Sequence, residues 1–265
     1  MRSSHIVGSA LGSLILLSGP ALAAGAPQKE MPPEPDKLVQ RMCDYLKSLN
    51  RFSYRAEVSD DRVYAGGEKI QYTFELETFV ERPNQLRVNA EGDRVNQQFF
   101  YDGKTLTLYN PADQVYATVE APPEIEEALE KADHDLKLRV ALTDLASPKL
   151  CEHLAKGQRH ARYVGPSRVR GVPTEHLAFD RNDIQFQLWI ETGSQPLPRK
   201  IVITQKNLLA SPQWIAILQD WKVSPSLKPE LFSFKAPPGA QKIKFAPALL
   251  PAAPAPVVPP TKTGG

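Results

Sequence analysis

The stretch QFQLWIETGSQPLPRKIVIT (residues 185–204) decides the fold class. Phe186, Leu188 and Ile190 alternate with Gln185, Gln187 and Glu191, the period-2 pattern of a strand with one face in the core. A short polar turn follows, and RKIVITQ (199–205) reads as the returning strand. Working upstream, ARYVG (161–165) and PTEHLAFD (173–180) carry the same alternation; downstream, WIAILQDWKV (214–223) does too. The first half adds RFSYRAEVSD, with Phe52, Tyr54, Ala56 and Val58 on one side, and EKIQYTFELETFVERP, with Ile70, Tyr72, Phe74 and Leu76. QLRVNAEG, RVNQQFFYDG, KTLTLYNP and QVYATVE follow, each closed by Gly, Pro or Asn-Pro punctuation.

Links this short force antiparallel pairing, so about eleven strands form a meander. Helical spacing interrupts them twice. Residues 36–49 place Leu38, Met42, Tyr45, Leu46 and Leu49 on one face, with Asp36 as the expected cap. Residues 122–146 continue in helical spacing with a charge-rich surface, and a further short helix opens at Ser147-Pro148 and stops at Gly157. The expected fold is mainly β with helices (α+β): either a large antiparallel sheet that curls and is covered on its concave side by the helices, or a closed barrel plugged by them. Phe74, Leu76, Phe99, Leu106, Leu108, Phe186, Leu188 and Ile190 are the candidate lining of that face. Trp189 and Trp221 fall on the opposite strand faces from their apolar neighbours, either under the outer side or at the rim.

The ends read differently. Residues 1–23 have one arginine, an apolar run from Ala10 to Leu17 and the small-x-small site Ala21-Leu22-Ala23, the pattern of a secretory signal peptide. That run is shorter than the ~20 apolar residues a spanning helix needs, and no cysteine follows the cleavage site to carry a lipid. Residues 24–35 are a proline-rich lead-in, 36–245 the β domain, and 246–265 a Pro/Ala-rich disordered tail. Without Arg2, the 32 basic residues fall to 31 against 30 acidic. Such a balance lacks the concentrated basic charge of a nucleic-acid-binding surface. Cys43 and Cys151 sit in an exported chain, either bridged or as two buried thiols.

Catalytic chemistry finds no foothold. G-x-S-x-G, S-x-x-K, G-x-G-x-x-G and G-x-x-x-x-G-K-[ST] are all missing. Cys151, His153 and His160 match no zinc spacing, so no metal site or cofactor is expected. His176 reads as a satisfied strand histidine. Asp133 and Asp135 around His134 belong to a solvated acidic helix face with Glu124, Glu126, Glu127 and Glu130. A non-enzymatic protein is the expectation.

Several motifs together resemble a known group. VERPNQLRV (80–88) followed by YDGKTLTLYNP (101–111) resembles the periplasmic carriers of outer-membrane lipoproteins. GVPTEHLAF (171–179), QLWIETGSQPLPRKIVIT (187–204), LQDWKVSP (218–225) and FSFKAPPGAQKI (232–243) resemble DUF2092, a family of predicted periplasmic proteins of unknown function. The resemblance implies a LolA-like fold: an unclosed β-barrel whose apolar hollow is lidded by helices, here those of 36–49 and 122–156. It implies lipid or lipoprotein acyl chains as ligand, a soluble periplasmic protein, and Arg82 as the lid latch, bonding to helix carbonyls. A sensor or interaction domain of the same fold, its hollow filled by its own side chains and its partner another cell-envelope protein, is the alternative.

Overall fold

The computed structural model describes residues 33–138 and 140–245; the readings of residues 1–23 and 246–265 lie outside them. The chain opens with α1 (Pro35–Ser48), then six strands: β1 (Arg51–Val63), β2 (Lys69–Glu81), β3 (Gln85–Gly92), β4 (Val95–Tyr101), β5 (Thr105–Asn110) and β6 (Val115–Glu120). α2 (Ile125–Leu136), a 3₁₀ turn (Thr143–Ala146) and α3 (Leu150–Ala155) come next. Five long strands follow: β7 (His160–Val169), β8 (Val172–Asp180), β9 (Ile184–Glu191), β10 (Pro198–Gln205) and β11 (Gln213–Val223). A 3₁₀ turn (Pro229–Leu231) and the two-residue β12 (Gln241–Lys242) end it.

One twelve-stranded sheet results, in the order β12-β6-β5-β4-β3-β2-β1-β11-β10-β9-β8-β7. β7 and β12 lie at opposite ends of that order, so the sheet is curved but unclosed. Neighbours pair antiparallel except β12, which runs parallel to β6. The sheet is a meander in two halves, zipped where β1 meets β11. That seam is pinned at Asp61, only 5 % exposed. Its carboxylate accepts from the Gln213 amide at 3.0 Å and Gln71 Nε2 at 3.1 Å, and pairs with Lys69 at 3.0 Å. Burial alone would raise the Asp61 pKa, but the hydrogen bonds from Gln213, Lys69 and Gln71 outweigh it and hold it below the usual carboxylate range.

The folded-state pKa is therefore the lower one. Its contribution is fully present above the unfolded carboxylate pKa and is lost as pH falls through the depressed value. Asp61→Asn should cost about 1–2 kcal/mol in urea unfolding at pH 7, and the gap to wild type should narrow at pH 3. A gap unchanged with pH would refute this role.

Three sequence expectations are corrected by the structure. α1 starts at Pro35, whose fixed φ suits the first helical position, so Asp36 lies in the first turn instead of capping it. Asp36 instead accepts a bond from Gln158 Nε2 at 3.1 Å. The helical stretch 122–146 breaks at Lys137, which takes a left-handed φ of 54°, and only Ile125–Leu136 is α-helical. α3 begins at Leu150, with Lys149 as its N-terminal flank; Ser147 accepts the Lys149 amide at 3.0 Å from just outside. The reading of about eleven strands holds: among the described residues there are twelve, the twelfth being the two-residue β12.

Candidate functional site

Cross-strand register builds the concave face row by row. One row runs Phe74, Val58, Ala216, Ile201, Leu188, Leu177. Another runs Tyr72, Asp60, Trp214, Ile203, Phe186, Phe179, the last two rings stacked at 4.5 Å. In the other half, Phe99 faces Leu108 and Tyr101 faces Leu106. All eight expected lining residues point to this side and join one cluster with Met42, Cys43 and Leu46 of α1 and Ile125, Ala128 and Ala132 of α2. Leu76, Phe99, Leu106, Leu108, Phe186, Leu188 and Ile190 are buried at 1–6 % exposure. Phe74 is only half-buried, at the margin of the helix cover.

The covering helices are tied to one another as a plate. Cys43 of α1 and Cys151 of α3 form a disulfide, with Cα atoms 5.8 Å apart. Cys151 is therefore no metal ligand, and among the described residues no three of His, Cys, Asp and Glu are placed to hold a metal ion. Ser147 Oγ donates to the buried Glu126 carboxylate, tying α2 to the start of α3. Lys149 and His153 approach that carboxylate at 3.7 and 3.5 Å.

The bonds between plate and sheet are all non-covalent. Tyr54 OH donates to the Leu142 carbonyl at 3.0 Å, and Arg181 Nη2 donates to the carbonyls of His153 and Leu154 at 3.0 and 2.6 Å. Arg82, in the β2–β3 turn, does most. Nη1 donates to the Leu46 carbonyl at 2.7 Å and to that of Leu49; Nε donates to Ala146 at 3.2 Å and Nη2 to Leu145 at 3.4 Å. Its guanidinium also lies 5.2 Å from the Phe52 ring centroid. Burial pushes the Arg82 pKa down to about 10, so it stays protonated at neutral pH. The arginine that the sequence singled out thus grips the C-terminal end of α1 and the 143–146 turn together.

Trp221 sits elsewhere than its strand position implied. Asp220 takes φ 53° beside a register shift between β1 and β11, turning Trp221 inward against Phe52 and Tyr54 at 5.9 and 4.6 Å. Trp189 does face outward, where His176 stacks on it at 3.9 Å and Lys200 Nζ lies 4.7 Å from the ring. His176 is further bonded to Gln187 at 2.9 Å, and burial lowers its pKa. On the outer face of the other half, Phe234 packs against Phe100, Tyr109 and Tyr116 at 4.9–5.3 Å. Sequence reasoning missed this strap; FSF (232–234) was its only signal. A cavity of about 240 Å³ lies beside it, lined by Arg87, Glu230 and Lys235 among others.

A family model described as "Predicted periplasmic protein (DUF2092)" matches residues 35–246. Among solved structures, LprF from Mycobacterium bovis is 14% identical, with a TM-score of 0.46, over 74% of this chain and 97% of that one. A MucA/MucB complex from Pseudomonas aeruginosa is 16% identical, TM-score 0.45, over 77% and 62%. A LolA superfamily protein from Nitrosomonas europaea is 11% identical, TM-score 0.39, over 76% and 98%. No curated protein matches the sequence. Among the described residues no helix is long and apolar enough to cross a membrane. With the family model spanning the sheet and every covering helix, the chain belongs to the DUF2092 family of predicted periplasmic proteins.

Proposed function

We propose that this chain is a lid-gated periplasmic binder of acyl chains, taking lipid or lipoprotein tails onto the concave face when the helical plate lifts. One observation carries the reading: Arg82 closes the seam between plate and sheet with a cation held by neutral carbonyls. A seam meant to stay shut is better sealed by apolar packing, because burying part of a charge costs desolvation. A half-buried guanidinium can instead rehydrate when the plate moves, so this seam is suited to release. What the plate covers is a largely apolar surface, and lifting it would leave that surface for an apolar occupant. Each buried CH₂ of such an occupant contributes about 0.8 kcal/mol, which offsets the lost helix packing as the chain lengthens.

A second reading has its own support. Leu76 and Leu188, at 2 and 3 % exposure, are already covered by the protein's own helices. A permanently self-filled face would make this an interaction module for another envelope protein.

Native mass spectrometry of protein purified from the periplasm separates the two. Acyl binding predicts adducts of lipid mass that Leu188→Glu abolishes. Because that carboxylate would be buried and could unfold the chain, Phe74→Ser, at the half-buried margin, is the second variant and should weaken retention several-fold. A clean apo mass after exposure to lipids would overturn acyl binding and leave the interaction module.

A further inference from the structure

The apolar surface does not stop where the helices do. Beyond Leu76, β2 continues on the same face through Phe74 and Tyr72, both half-buried, to Ile70 at 38 % exposure. Across β1 the row passes through the Asp60–Arg62 ion pair, and Trp214 and Ile203, half-buried, resume it on β11 and β10. The adjoining turns add Tyr64 at 38 % and Leu209 at 58 %, so three of the four large apolar side chains exposed among the described residues gather at one end of the sheet. The β1–β2 and β10–β11 turns touch here: a Cβ built on Gly67 would lie 3.6 Å from Leu209 Cδ2. Tyr64 OH bonds Tyr72 OH at 2.7 Å, and Arg94 donates to Tyr64 OH at 3.1 Å while lying 5.0 Å from the Tyr72 ring centroid. The result is a ramp from solvent to core, with aliphatic tips outermost and phenols and a guanidinium just behind.

The geometry points to this lip as a docking surface for a lipid bilayer, seated at headgroup depth. Three exposed side chains, two on turns and one at the start of β2, fall far short of the roughly 800 Å² per partner that a stable protein interface buries, so a second copy is a poor fit. Shallow insertion of a few apolar tips is what an interfacial contact needs, and tyrosine and arginine are comfortable at that depth because each joins an apolar body to a polar end. The charges within and beside the lip are mostly matched: Arg62 pairs with Asp60 at 2.6 Å inside the row, and at its flanks Lys69 pairs with Asp61 at 3.0 Å and Lys206 with Asp180 at 2.7 Å. With no strong field of one sign, zwitterionic lipid suffices. The inference rests on the acyl-binding reading only for what the lip would pass along the ramp.

The test is flotation of the periplasm-purified protein with phosphatidylcholine vesicles, with and without phosphatidylglycerol. Binding to both is expected. Tyr64→Ser/Ile70→Thr/Leu209→Ser should bind about tenfold more weakly, whereas Val164→Ser, which removes the exposed apolar group of the distant β7 edge (50 % exposed), should bind as wild type. Absence of wild-type flotation, an unaffected triple variant, or an equal loss in Val164→Ser would each overturn the lip. So would a triple variant whose only change is a lost dimer. Vesicle binding with a clean apo mass keeps the lip and rejects acyl uptake; lipid adducts without flotation do the reverse.

Discussion

Removing the disulfide, by Cys43→Ser/Cys151→Ser, should lower stability by about 4 kcal/mol in urea unfolding while leaving the fold intact. The bridge spans 108 residues. In the chain-entropy account, stabilisation grows with the logarithm of the closed loop, and a loop this long sits near the top of the range. The loss arises mainly in the unfolded chain, which regains the freedom of everything from α1 to α3. The folded double variant should therefore keep its near-ultraviolet circular dichroism and melt on the order of 10 °C lower. Wild-type protein in reductant should reproduce the shift. The native state should change in one respect: hydrogen exchange in α1 and α3 should rise relative to β8 and β9, because the bridge joins helix to helix and does not anchor either to the sheet. A stability within about 1 kcal/mol of wild type would refute the entropic role.

How much of this was legible in sequence depends on how local the cause is. In β9 Phe186, Leu188 and Ile190 are buried as their alternation implies, since period 2 puts them on one face, while Trp189 between them is buried in a second cluster on the other face. The Asp102-Gly103 turn was equally readable: Gly103 takes φ 86°, and the Asp102 carboxylate accepts the Lys104 and Thr105 amides at 3.0 and 2.8 Å. The breaks at Lys137 and Leu142 were not, because each puts an ordinary side chain at positive φ, 54° and 63°, with no glycine or asparagine to announce it. Helical periodicity simply runs through them. Trp221 was misplaced for the same reason, its bulge being marked only by Asp220.

The candidate site divides along the same line. Which residues face inward follows from parity, and all eight of those residues join the core cluster. How far the helices extend over them does not, because cover is set by α1 and α2 packing from elsewhere in the chain. Phe74 and Leu76 are two residues apart on one face, yet one is half-buried and the other 2 % exposed. For that reason the lip at Tyr64, Ile70 and Leu209 carried no signal until the edge of the cover was known. β12 pairs only Gln241 and Lys242 with β6, too short a segment for any period to register.

Arg82→Met should be the most damaging single change in the seam, costing about 3 kcal/mol. It keeps an apolar stem of similar length but removes every donor that meets Leu46, Leu49, Leu145 and Ala146. A hydrogen bond from a charged donor contributes roughly 1.5–3 kcal/mol, but four bonds to one guanidinium are not additive, and the variant no longer desolvates a cation. Some carbonyls also keep other partners, as Leu46 does with the Leu49 amide at 3.2 Å. Arg82→Lys retains the charge, yet one ammonium cannot reach carbonyls on both α1 and the 143–146 turn, so it should recover less than half of the loss. Hydrogen exchange distinguishes a latch from general support. A latch predicts faster exchange at the end of α1 and across 143–150, with β2 and β3 protected as before. Uniform acceleration through β2 and β3 would instead make Arg82 an ordinary part of the fold, and the plate would lose its release point.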